Sequence, residues 1–176
     1  MNHVALKENA AVLSRIIMLT RDFYHNGQLT EAQKGLMETL IGAGIWYLPS
    51  SMELYSGFIS KRALESLKNK PHHTKLVEEH AYPRKVAGQF LYSSQNDLLL
   101  TADGCALEQL YRERFGKYNL VLKSENDKLK KFQKKNVFLD EATAYALAEI
   151  ELVPFSVEEF QQYKRLKQKN NKKGHL

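Results

Sequence analysis

Between Glu78 and Lys85 the chain reads Glu-Glu-His-Ala-Tyr-Pro-Arg-Lys, placing two carboxylates, an imidazole and two fixed cations within eight residues. These are the groups that hydrolysis of a phosphodiester needs. An imidazole with an ordinary pKa of about 6.5 can take a proton from water near neutral pH. A carboxylate can hold a hard divalent cation that polarises a phosphate oxygen. Arg84 and Lys85 supply the positive charge that holds the phosphate itself. Pro83 interrupts whatever element precedes it and turns the chain. A plainer reading stands beside this one: a helix end, with the proline as its stop and Arg84 and Lys85 in solvent.

Downstream, Tyr118–Lys123 (YNLVLK) alternates as a strand does, and Ser124 opens a basic helix expected to run to Lys135. Asp127 is its N3 acid, an approximate capping box. An acid followed by His, two residues and Pro at the end of a short strand, then a second strand and a helix, resembles the HNH, or ββα-metal, nucleases. The likeness covers residues 77–135. It implies His80 as general base, Glu79 as metal ligand, and Asn126 as second ligand, at a position where some members carry Asn in place of His. It further implies one Mg²⁺ or Mn²⁺ ion, Arg84 and Lys85 on the phosphate, and DNA as substrate ahead of RNA. Asn96 and Asn119 are the candidates for the middle asparagine. Successive strand side chains point to opposite faces, so Glu79 and His80 share a site only at the strand's end. Otherwise Glu78 shares the face of His80 and becomes the ligand. The insert between the two strands contains a helix (Leu107, Leu110, Tyr111, Phe115, stopping at Gly116) and is longer than the family's usual loop.

The formal charge of +6 is unevenly distributed. Residues 1–111 are neutral, 112–135 carry 9 basic and 3 acidic residues, 136–161 carry 6 acidic and no basic ones, and 162–176 carry 6 basic and no acidic ones. Lys123, Lys128, Lys130, Lys131, Lys134 and Lys135 make the central block a candidate phosphate-binding face. If the basic helix and the basic tail both touch phosphates, neutralising about six of them would give a log–log salt slope near −5. Two other functions fit the same residues: a non-enzymatic basic helical module that binds nucleic acid, and a protein-interaction or inhibitor protein using the acidic block and basic tail as faces.

The elements that would hold these groups are mostly helical. Leu6, Leu13, Ile17 and Tyr24, with Val12, Ile16, Leu19 and Phe23 beside them, predict a helix ending at Asn26-Gly27. Thr30…Gln33 is a capping box for a second helix, which must stop before Pro49. Ser60–Leu67 is a third, and the polar Lys68–Thr74 reads as a linker. Leu76–Tyr82 reads as a short strand, and helices over Asp140–Ile150 and Ser156–Lys169 follow, the latter with Ser156…Glu159 as capping box. The expected class is mainly α with a small β element. It divides into a helical N-terminal part (1–69), a ββα-metal-like unit with a helical insert (76–135), C-terminal helices (136–169) and a flexible basic tail (170–176). A homodimer through the N-terminal helices is a candidate assembly.

The single cysteine, Cys105, excludes an internal disulfide and a multi-thiolate zinc site, and points to a reducing, cytoplasmic compartment. It reads as a half-buried apolar filler. Thr39–Met52, 14 residues without a charge, is too short to span a bilayer, so no membrane role is expected. Lys7, Glu8 and Arg15 break any signal-peptide pattern. His72-His73 reads as a solvated pair, and Trp46, Tyr47 and Tyr55 as core or interface. Gly42-Ala43-Gly44 follows a helix and not a strand, which is the wrong context for a phosphate loop.

Overall fold

Apolar residues recurring every three or four positions make His3–Asn26 one long helix (α1). The chain reverses at Gly27, and the expected reciprocal cap forms. Gln33 N donates to Thr30 Oγ1 at 3.3 Å while Thr30 N donates to Gln33 Oε1 at 2.8 Å, opening α2 (Glu31–Trp46). The computed structural model describes residues 3–71, 73–93 and 100–173, the side chains of 3 and 168–173 excepted.

After a 3-10 turn come β1 (Tyr55–Ser60), α3 (Lys61–Asn69), β2 (Leu76–His80) and α4 (Arg84–Tyr92). Then α5 (Cys105–Leu110) widens into a π-helical turn (Tyr111–Phe115), followed by β3 (Tyr118–Leu122) and α6 (Lys123–Leu129). The chain continues through α7 (Glu141–Leu147), β4 (Leu152–Pro154) and α8 (Val157–Lys173). The protein is mainly α-helical with one small sheet.

The sheet has four strands in the order β2-β3-β1-β4, where the sequence predicts two. β2 pairs antiparallel to β3, with Glu79 opposite Asn119 and His80 opposite Tyr118. β3 runs parallel to β1, and β4 pairs antiparallel to β1. β1 is interrupted by Gly57 and β4 is three residues ending in Pro154, so neither has a periodicity strong enough to read alone.

Alternation along β2 and β3 divides the sheet's two sides. Leu76, Tyr118, Leu120 and Leu122 pack with Leu6, Ile17, Ile45, Ile59, Leu91 and Phe160 in the main core. Val77 and Val121 face the other way, onto Leu129, Tyr145 and Ile150 beneath α6 and α7. The main core joins residues of the N-terminal helices, of the 76–135 stretch and of α8 in one apolar cluster, crossing the expected domain boundaries.

Two helix ends differ from expectation. The basic helix stops at Leu129 and not at Lys135. Continuing it would stack Lys130 on Lys134 and Lys131 on Lys135, like charges one turn apart. The turns that replace it carry Gln133 to Glu79 and Lys135 to Glu38. The cap at its start is also different: Glu125, and not Asp127, accepts from the Leu122 backbone N–H and from Ser60 Oγ. At the C-terminus, α8 runs to Lys173, through most of the stretch expected to be a flexible tail, and 174–176 lie outside the described residues. Cys105, expected to be half-buried, is exposed in the first turn of α5.

The two glycines of the Gly42-Ala43-Gly44 run serve packing. A Cβ on Gly42 would lie 2.4 Å from the Arg84 carbonyl oxygen, and one on Gly88 of α4 would lie 2.1 Å from the Glu38 carbonyl oxygen. Backbone meets backbone where α2 crosses α4, and that crossing sets the start of α4 beside Trp46. Gly88→Ala should therefore push the helices apart and destabilise the fold by about 2 kcal/mol, read as a lowered urea midpoint with an unchanged m-value.

Candidate active site

His80 is the last residue of β2, and the chain turns immediately after it through Tyr82 and Pro83 into α4. Pro83 acts as the N-cap of α4, so Arg84 and Lys85 occupy its first turn, directly beyond the strand's end. This is the one position at which neighbouring strand residues can border a common space. Glu79 lies on the α6 and α7 side of the sheet, with Glu78 and His80 on the other.

Two adjoining hollows meet there. One, about 290 Å³, is lined by Trp46, Ser50, Glu78, His80, Tyr82, Arg84, Tyr111 and Phe115, among others. The second, about 330 Å³, shares Trp46, Glu78, His80, Tyr82 and Arg84, and adds Glu79, Lys85, Asn126, Lys130 and Gln133. Thus Glu78, Glu79, His80, Arg84, Lys85, Asn126 and Lys130, all singled out in the sequence, border one space.

The His80 ring stands edge-on to Trp46 at 4.8 Å and tilts against Tyr118 at 6.0 Å. Burial holds its imidazole below its ordinary pKa, and the Arg84 charge adds to this. Glu78 and the backbone carbonyls of Phe115 and Lys117 pull the other way without reversing it. Such a ring is neutral at pH 7 and able to accept a proton. The Arg84 guanidinium lies 3.3 Å from the centre of the Trp46 ring, a cation–π contact that fixes the charge over the cleft. Partial burial also pulls Arg84 below its usual value. Trp46, read from the sequence as core or interface, is 48% exposed and stands between His80 and Arg84. No local signal marks it, because it lies 34 residues from His80, at the end of α2.

On the opposite side of the sheet a buried polar chain runs into the site. Ser56 Oγ donates to Asn119 Oδ1, Asn119 Nδ2 donates to Tyr145 OH at 2.8 Å, and Tyr145 OH donates to Glu79 Oε2. Gln133 Nε2 donates to Glu79 Oε1 at 2.6 Å and to the His80 carbonyl at 3.3 Å. Burial raises the Glu79 pKa, against the effect of these two donors. Of the candidate middle asparagines, Asn119 belongs to this chain, and Asn96 lies outside the described residues. Tyr145 and Gln133 carry no sequence signal of their own.

The donor types are those a hard divalent cation takes. Glu79 and Asn126 offer only oxygen, and the two hydrogen bonds on the carboxylate leave half of its roughly four acceptor positions. Among the described residues no three His, Cys, Asp or Glu side chains converge on one point. Glu78, the alternative ligand, instead pairs with Lys164 of α8 at 3.1 Å.

The expected phosphate-binding lysines are largely committed within the fold. Lys123 and Lys130 both pair with Asp127, and Lys128 pairs with Glu149. The Lys135 ammonium sits 2.7 Å and 2.8 Å from the two oxygens of Glu38, a carboxylate with 0% exposure. Lys131 and Lys134 are exposed. No helix among the described residues is long and apolar enough to cross a membrane. Comparison of the chain with known protein families, curated proteins and solved structures finds no match in any of the three.

Proposed function

We propose that the protein is a metal-dependent endonuclease that hydrolyses phosphodiester bonds of DNA. The observation that carries this reading is the antiparallel β2–β3 pair followed at once by α6, with Glu79, His80, Arg84, Lys85 and Asn126 around one hollow at the strand's end. The order strand, strand, helix and the acid-His pair at the end of the first strand are the features of the resemblance to HNH nucleases.

In this reading His80, neutral at pH 7, takes a proton from a water whose oxygen attacks phosphorus in line, the opposite P–O bond breaks, and the leaving 3′-oxygen is protonated from solvent. Arg84, held over Trp46, and Lys85 bind the non-bridging phosphate oxygens. Glu79 and Asn126 would hold the cation, which when bound supplies Lewis-acid stabilisation of the developing charge. Tyr145 and Gln133 fix the Glu79 carboxylate so that it need not reorganise. The lone cysteine fits a reducing, cytoplasmic setting for such an enzyme.

A plasmid-nicking assay with Mg²⁺, Mn²⁺ or EDTA, run beside a gel shift, tests the proposal. Nicking that requires the cation supports it, and equal nicking in EDTA removes the metal from it. Salt-sensitive binding with no cleavage under any condition would instead favour a nucleic-acid-binding module, and neither binding nor cleavage a protein-interaction role. With four of the six lysines carrying acidic partners, the salt slope should be shallower than −5. Lys131→Ala with Lys134→Ala should reduce that slope by about 2 while leaving the rate at saturating DNA unchanged.

A further inference from the structure

α1 has two apolar stripes. Leu6, Ala10, Leu13 and Ile17 are in the core, whereas Val12, Ile16, Leu19 and Phe23, spaced four, three and four residues, are exposed. α2 and the residue after it repeat the pattern: Leu36, Leu40, Ala43 and Tyr47 have the same spacing and lie outside the buried core. The two helices are antiparallel neighbours, with Leu13 against Gly44, and a groove of about 200 Å³ lined by Val12, Ile16, Gly44 and Tyr47 runs between them. The seven large side chains of the two stripes are 45% to 83% exposed. Alternating steps of three and four are the period at which helices seat against helices, whereas the solvent side of a surface helix is ordinarily polar.

We infer that this face binds a second copy of the same chain, hairpin against hairpin, about a two-fold axis perpendicular to α1 and α2. The residues along α1 complement themselves when read in reverse. With Ile16 opposite Leu19 of the second copy, Val12 meets Phe23, small against large. The same register brings Arg15, on the seam's flank, to Asp22, and by symmetry this happens twice. Leu13 packing on Gly44 fixes the relative heights of the helices, so the axis that passes between Ile16 and Leu19 crosses α2 near Leu40. There it sets Leu40 against Leu40 and Leu36 against Ala43. One axis therefore serves the α1 stripe and Leu36–Ala43 of α2, with Tyr47 falling opposite Ala32, and it pairs the flanking charges, a match that an unrelated apolar partner would have no reason to show. The exposed apolar surface is on the order of 700 Å² per copy, near the ~800 Å² per partner of a standard stable interface and above the patch usual on a monomer.

Sedimentation equilibrium of the full chain between about 1 and 100 µM is expected to show a species of twice the 20.3 kDa chain mass. Leu19→Glu, at a position 83% exposed and outside the core, should give a monomer with its helical circular dichroism retained. Arg15→Asp and Asp22→Arg should each weaken association about tenfold, and the double variant should recover it. Arg15→Asp also removes the bond from its Nε to the Ala102 carbonyl, so helical content is checked in each variant. A wild-type monomer at 100 µM, or a Leu19→Glu dimer, overturns the interface. Single swaps that weaken association without recovery in the double variant overturn the antiparallel register.

Discussion

His80→Ala is expected to lower Mg²⁺- or Mn²⁺-dependent nicking by about 10²- to 10⁴-fold, the usual contribution of a positioned general base. The expectation rests on the ring's position at the end of β2 and on its neutral state at pH 7. His80 also touches Trp46, so the substitution could act by loosening the cleft and not through proton transfer. Two measurements separate these effects. Trp46 is the chain's single tryptophan, so its emission and its accessibility to a quencher report on the cleft directly. His80→Gln fills much of the same volume without a comparable base. If His80 is the base, both variants lose activity, while His80→Gln keeps Trp46 emission close to wild type. Wild-type nicking by His80→Ala would remove the proposed role altogether, and wild-type nicking by His80→Gln alone would reduce it to packing.

Lys135→Ala is expected to destabilise the protein by about 3–5 kcal/mol, the range seen when one partner of a buried ion pair is removed. Glu38 has no exposure, and its only other bond among those described comes from Tyr24 OH at 2.8 Å. Without the ammonium, a carboxylate is left buried beside the α2–α4 crossing. Replacing both partners by apolar groups, Glu38→Leu with Lys135→Met, should recover most of the loss, because the cost lies in the unpaired charge and not in the missing attraction. Denaturant melts of the two single variants and the double variant measure this. A phosphate-binding role for Lys135 predicts the reverse, with weaker DNA binding and an unchanged midpoint.

Both results bear on how far the chain can be read without its structure. Several local signals read correctly, although the cap of α6 formed on Glu125 and not on Asp127. The Thr30…Gln33 and Ser156…Glu159 caps form because donor and acceptor lie three residues apart, and Asp140 caps α7 for the same reason. The alternation in 118–122 and the proline at 83 located β3, the end of β2 and the turn between Glu79 and Arg84. The types of group in the candidate site, and their order along the chain, follow from the sequence alone.

What the tertiary structure decided was partnership. β1 and β4 are strands because β3 and one another supply their hydrogen bonds, and nothing in a six- or three-residue run announces that. The basic block reads as one helix with a phosphate-binding face, but acids from 3 to 97 residues away take four of its lysines, and the helix breaks where Gln133 and Lys135 reach theirs. Trp46 meets Arg84 where Gly42 and Gly88 let the backbones of α2 and α4 touch. Charge and hydrophobicity are properties of a residue and can be counted along the chain. Which charge neutralises which, and which apolar stripe is covered, depend on packing between segments far apart in sequence, and only the folded chain fixes them.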